Sequence, residues 1–209
     1  LQGDILVGDG DAIQKYLLIA NSHDGTMRLK ARITPIRVVC SNTLHAALRS
    51  VTNEVAIRHR GDLQNHVVEA QRVLGIAVRS FDALESRFNR LADHLVNDDG
   101  AQDYFRTLFP AVSDRTENLR QALFSDWKND PAQDRFGVRG TLWGAYNSVT
   151  AWVDHARSTR GGTPEARASN RLDSIWFGSG SQVKSRALSL ALTMAGVEDE
   201  LTEAATTEE

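Results

Sequence analysis

From Leu63 to Leu95 an apolar residue returns at every fourth or third position: Leu63, Val67, Ala70, Leu74, Ala77, Phe81, Leu84, Phe88, Leu91 and Leu95. Spacings that alternate between four and three define a heptad seam. The run spans 33 residues without a proline, and Gly75 is its weak point. At the helical rise per residue it predicts a rod of roughly 50 Å. A stripe this narrow must be covered by another helix, from the same chain or from a neighbouring subunit. Asn97-Asp98-Asp99-Gly100 is read as its end.

Upstream the period changes from helical to extended. Gln14–Asn21 is a β-capable run, and Ser22-His23-Asp24-Gly25 carries the Asp-Gly pair of a tight turn. Met27, Leu29, Ala31 and Ile33 then alternate with Arg28, Lys30, Arg32 and Thr34. Residues two apart on a strand share a face, so this is a hairpin with one apolar and one basic face. Pro35 cannot donate to a ladder, which predicts an edge strand or a bend there. Ile36–Cys40 continues as an apolar β run. Ser41-Asn42-Thr43 offers cap oxygens for a helix from Leu44 to about Ser50, and Val55–Arg60 reads as a further strand before Gly61-Asp62. Helices are expected over Gln102–Phe109, Asp114–Trp127, Leu142–Ala156 and Gln182–Ala195. Arg157–Arg171, rich in Gly, Ser, Thr and Arg, reads as a mobile loop. The expected class is α+β: a small antiparallel sheet, a long heptad helix and a mostly helical C-terminal half. One domain is expected over 1–196 and an acidic disordered tail over 197–209.

The formal net charge of −3 conceals a split. Seven Lys/Arg face one acid, Glu54, between Arg28 and Arg60, whereas Val197–Glu209 holds six acids and no base. The first segment therefore invites a polyanionic partner, and the tail either aids solubility or competes for the basic face. Cys40 is the single cysteine, which excludes an internal disulfide framework and reads as a buried thiol. No apolar run approaches the length of a membrane span, and no export signal is seen, so no membrane association and a cytoplasmic location are expected. Leu1 is not an initiator Met, and the expectation is a chain that lacks an N-terminal portion.

Four groups of residues bear on chemistry. Arg28, Lys30 and Arg32 can track a phosphate backbone along the strand, with Arg37 continuing beyond Pro35 and Arg58 nearby; the plain alternative is an edge strand that keeps its bases to resist aggregation. Gly178-Ser179-Gly180-Ser181 opens a helix carrying Lys184 and Arg186, a possible anion site or a simple Ser cap; it lacks the Walker A pattern. Arg157, Arg160, Arg167 and Arg171 are candidates for backbone contact from the loop. Trp143, Tyr146, Val149, Trp152 and Val153 at helical spacing suggest core more than base stacking. A metal-dependent hydrolase would need His23, Asp24, Asp154 and His155 around one site. No spacing demands it, and no catalytic residue, metal or cofactor is assigned.

Thr34-Pro35-Ile36-Arg37-Val38-Val39-Cys40-Ser41-Asn42-Thr43-Leu44 resembles the phage/plasmid-like protein family catalogued as domain of unknown function 932. Ile57-Arg58-His59, the stretch from Arg139 to Thr150 and the stretch from Asn170 to Gly180 follow in order and carry the same resemblance. With Asn21-Ser22-His23-Asp24-Gly25, they cover about residues 14–192. The resemblance implies a bacterial or mobile-element origin and a longer N-terminus, and brings no activity. More loosely, a basic-faced hairpin followed by a helix is similar in architecture to ring-forming single-strand annealing proteins of phage recombination. The expected function is sequence-independent single-strand DNA binding or annealing by a homo-oligomer; the alternative is an assembly protein that binds no nucleic acid.

Overall fold

The computed structural model describes residues 3–20, 29–38, 42–43, 54–57, 75 and 81–197, with the backbone alone at 17–20, 29–33, 42–43 and 54–57. Its five strands, β1 (Ile5–Val7), β2 (Asp11–Ala20), β3 (Leu29–Arg37), β4 (Asn42–Thr43) and β5 (Glu54–Ile57), make one antiparallel sheet. The order is β1-β2-β3-β4, with β5 also on β3. The β2–β3 ladder runs without a slip from Ile13↔Arg37 to Ala20↔Lys30. This is the expected hairpin; its Asp24-Gly25 turn, Arg28, Cys40, the 44–50 helix and Arg58–Arg60 lie outside the described residues.

Two expectations for β3 are corrected. It is an interior strand, with β2 on one side and β4 and β5 on the other, although it contains Pro35. Val38 donates its backbone N–H to Ala12 O, so the alternating ladder turns the nitrogen of Pro35 away from β2. On that far side β5 pairs with residues 29–32 and β4 with 36–37, and Pro35 falls in the gap between them. No ladder bond is lost. Arg37 does not continue the basic row either, because it has the parity of Ile33 and Pro35. It is buried with Ile5, Val7, Asp11 and Ile13, while Leu6, Tyr16 and Val38 on the opposite face are exposed.

The heptad seam enters the described residues as α1 (81–93), and Gly75 is helical as well. Phe81, Leu84, Phe88 and Leu91 are all buried. The helix ends before Leu95, which is 75% exposed and pairs as a bridge with Thr141. Asn97 starts the next helix instead of closing α1: its side chain accepts from the Gly100 amide and caps α2 (Asp98–Leu108). Then come α3 (Asp114–Asn129), a short α4 (Pro131–Arg135), α5 (Leu142–Ala151), a π turn (Trp152–Ala156), α6 (Pro164–Trp176) and α7 (Ser179–Met194). The expected loop over 157–171 is thus corrected, since its second half is helix. Thr163 caps the Ala166 amide and Pro164 takes the first helical position, where its missing N–H costs nothing.

Helix α5 is the hub of the helical half, buried at every residue from Leu142 to Thr150. It packs on α2, α3, α7, the π turn and β4. Trp143 and Tyr146 are therefore core, and the Trp143 ring sits 4.7 Å from that of Phe88. The indole Nε1 of Trp143 donates to Asp11 Oδ2 at 2.9 Å, and Arg37 Nε donates to the same carboxylate at 2.7 Å. Sheet and helices are thereby joined through one buried charge pair. Among the described residues no helix is long and apolar enough to cross a membrane.

Candidate nucleic-acid interface

Residues 157–171 hold four arginines and one acid, Glu165, and the fold sets Arg167 and Arg171 on one depression that is also lined by Ser158 and Thr159, the neighbours of Arg157 and Arg160. The π turn ends at Ala156, and the chain then runs back over the first turns of α6. Three hydrogen bonds hold it there: Arg167 Nη1 to Gly161 O at 3.2 Å, Asn170 Nδ2 to Arg160 O at 2.9 Å, and Thr159 Oγ1 to Arg167 O at 3.3 Å. Gly161, at φ +149°, makes the close approach possible; a Cβ there would meet Arg167 N at 2.7 Å.

Every acceptor used by these arginines is neutral. Arg171 donates to Asp154 O, Arg167 to Gly161 O, and Arg157 Nη2 to Ser179 Oγ at 3.1 Å. Arg157 also lies over the Trp152 ring at 5.7 Å, and its Nη1 is shielded from solvent with no acceptor. Arg160 is exposed. Among the described residues no carboxylate pairs with any of the four. A guanidinium has five N–H groups, so one bond to a carbonyl orients the fork and leaves most donors for a planar oxyanion. Three of the four are thus held in place, and among the described residues their charge is uncompensated.

Between the loop and the helix lies an open depression of about 610 Å³. One stripe of α6 forms its floor: Pro164, Arg167, Ala168, Arg171 and Leu172, at the spacing of a single helical face. Ser158 and Thr159 stand opposite. A smaller depression of about 210 Å³ between α2 and α3 also has two arginines, but Arg120 is held by Glu117 at 2.7 Å and Arg106 by Asp103. That pairing holds the Glu117 carboxyl below its ordinary range and cancels the charge.

The other sequence candidates fall in different places. Lys184 is buried against Asp154, with Nζ 2.9 Å from Oδ1, and so does not serve a surface. The proposed anion site at the start of α7 is closed as well. Gly178 holds the cap position without a side-chain bond, Gly180 N donates to Ser174 Oγ, and Ser181 is buried. Arg186 is exposed and donates to Leu108 O at 2.7 Å. Lys30 and Arg32 stand at outer-face positions of β3, with Tyr16 of that face 47% exposed. The register also sets Glu54 directly beside Arg32, an acid that the row of bases alone does not reveal. Thr34, opposite Tyr16, is buried, so this face is open only in part. Arg28, Arg58, His23 and Asp24 lie outside the described residues. Asp154 points inward to Lys184 while His155 is exposed, and among the described residues no three His, Cys, Asp or Glu gather as a metal site.

Sequence reasoning found all four arginines but not the helix that arrays two of them. The signal was present in Thr163-Pro164-Glu165, a cap, a first-turn proline and an acid in sequence. A family model described as Domain of unknown function (DUF932) matches residues 1–176, ending with the last residue of α6. No curated protein and no solved structure matches the chain.

Proposed function

The chain belongs to the DUF932 family, and we propose, from its own arginine face, that it binds single-stranded nucleic acid without strong sequence preference, as an oligomer serving mobile-element recombination or maintenance. The observation that carries this reading is that Arg157, Arg160, Arg167 and Arg171 lie within one short segment, that Arg157, Arg167 and Arg171 donate to neutral acceptors, and that among the described residues no carboxylate pairs with any of the four. Fixed guanidinium groups without counter-charges attract a polyanion, and release of its counterions drives association. Neutral residues bearing hydroxyls and short apolar side chains surround them and offer no pattern for a base edge, which favours a ligand held by its backbone.

Binding of a fluorescent single-stranded oligonucleotide across a salt series tests the reading. The logarithm of affinity is expected to fall linearly with the logarithm of salt, at about 0.7 per neutralised phosphate. Changing Arg167 and Arg171 together to Ala should flatten that slope by about 1.4 while the thermal melt stays in place. Absence of binding at low salt ends the proposal.

A second reading, homo-assembly without nucleic acid, draws on the outer face of the sheet. Leu6 and Val38, 55% and 49% exposed, flank Ala12 across three strands, an apolar row of the kind that meets another copy. Light scattering of the protein before and after Leu6→Ser and Val38→Ser separates the two. An oligomer that these changes dissolve, with oligonucleotide binding absent throughout, selects assembly.

A further inference from the structure

The stripe of α6 under the depression is two rows with different chemistry. Pro164, Ala168 and Leu172 follow one another at intervals of four residues, and so do Arg167 and Arg171 beside them. Successive members of such a row lie about 6 Å apart along the helix. The cationic row suits consecutive anionic groups, but a ligand that is only a string of charges leaves the apolar row in water. Leu172 is 56% exposed, and the inward side of α6 is anchored by the buried Ile175. The depression is open to solvent, so a flat ligand laid on the stripe would keep its other face free. Ser158 and Thr159 form the wall facing the two rows.

We infer that this depression seats one unstacked nucleobase, its face against Pro164, Ala168 and Leu172 and its flanking phosphates on Arg167 and Arg171. The inference rests on the proposed nucleic-acid function and specifies its ligand: a strand whose bases are free to leave a stack. The base is held by its face, so every base fits and sequence preference stays low. A duplex keeps its base faces stacked and can offer only phosphates. The Ser158 hydroxyl can donate or accept, and that of Thr159, whose proton goes to Arg167 O, can accept, so either kind of edge finds a partner.

The test compares three ligands of equal length on the intact chain: oligothymidylate, the same strand built from abasic residues, and a duplex. Oligothymidylate is expected to bind about tenfold more tightly than the abasic strand at matched salt, since burying one base face on three aliphatic side chains is of that order. Leu172→Ala should remove most of that difference and leave abasic binding unchanged; the side chain is exposed, so the fold is retained. Arg167→Ala with Arg171→Ala should weaken all three ligands together. Equal binding of thymidylate and abasic strands, or a Leu172→Ala loss shared by both, overturns the base seat while the polyanion reading stands. Binding of none of the three ligands at low salt overturns the reading beneath it as well.

Discussion

Gly161 is where a single atom decides the shape of the site. A Cβ on it would press on the backbone nitrogen of Arg167, and its φ is one that other residues rarely adopt. Gly161→Ala is therefore expected to lift the loop from α6 and weaken oligonucleotide binding severalfold, with little change in melting temperature because both partners are at the surface. Titration of the variant against the wild type measures this directly. Asp126 makes a different kind of prediction. Although Asp126 is exposed overall, desolvation of its carboxyl and the neighbouring Asp130 push it up, and the Ser148 hydroxyl and Arg37 only partly oppose them. A raised carboxyl gives its stability at low pH and loses it as pH climbs through the folded value. Asp126→Asn should thus raise neutral-pH stability, by less than about 1 kcal/mol after solvent screening, and the gain should vanish on acidification below the carboxylate range. Thermal melts at several pH values follow it. At this scale the sequence was partly readable. The parity of Arg37 already sets it with Ile33 and Pro35 and away from Arg32, so its burial could have been inferred. Lys184 gives no such sign, because its partner Asp154 is 30 positions away.

At the scale of elements, α6 was hidden by its own composition. Arg, Ser and Gly around residues 157–163 suggest a loop, and only Ile175 of the helix after it is buried, so no core-facing stripe marks it. What starts it is local: the Thr163 hydroxyl on the Ala166 amide at 3.2 Å, followed by Pro164. Thr163→Ala is expected to cost about 1 kcal/mol of helix stability. Faster amide exchange over 164–168, together with weaker oligonucleotide binding, would register it. The heptad helix was legible for the opposite reason, as Phe81, Leu84, Phe88 and Leu91 each fill the core where the period puts them. Its end was misjudged, since Leu95 keeps the period but belongs to a bridge with Thr141. Asn97 caps forward, and an N-cap and a helix stop draw on the same residue types. Pro35 misled for a related reason: strand propensity cannot report which neighbours leave a gap.

For the whole molecule the decisive contact is the carboxylate of Asp11, shared by Arg37 of the sheet and Trp143 of α5. All three side chains are buried. Asp11→Asn takes away the buried carboxylate that Arg37 and Trp143 share and is expected to cost about 3–5 kcal/mol. Loss of sheet and helix signals in one transition at lower denaturant would show that the two halves stand or fall together. No sequence pattern announces this pair, because residue types alone do not say which acid meets which base across a fold. The same contact also bears on how the chain is made. Asp11 and Trp143 are 132 positions apart, so a ribosome has released the whole sheet and α1 to α4 before the indole that completes their core can arrive. The core behind the hairpin is therefore complete only once α5 has been synthesised.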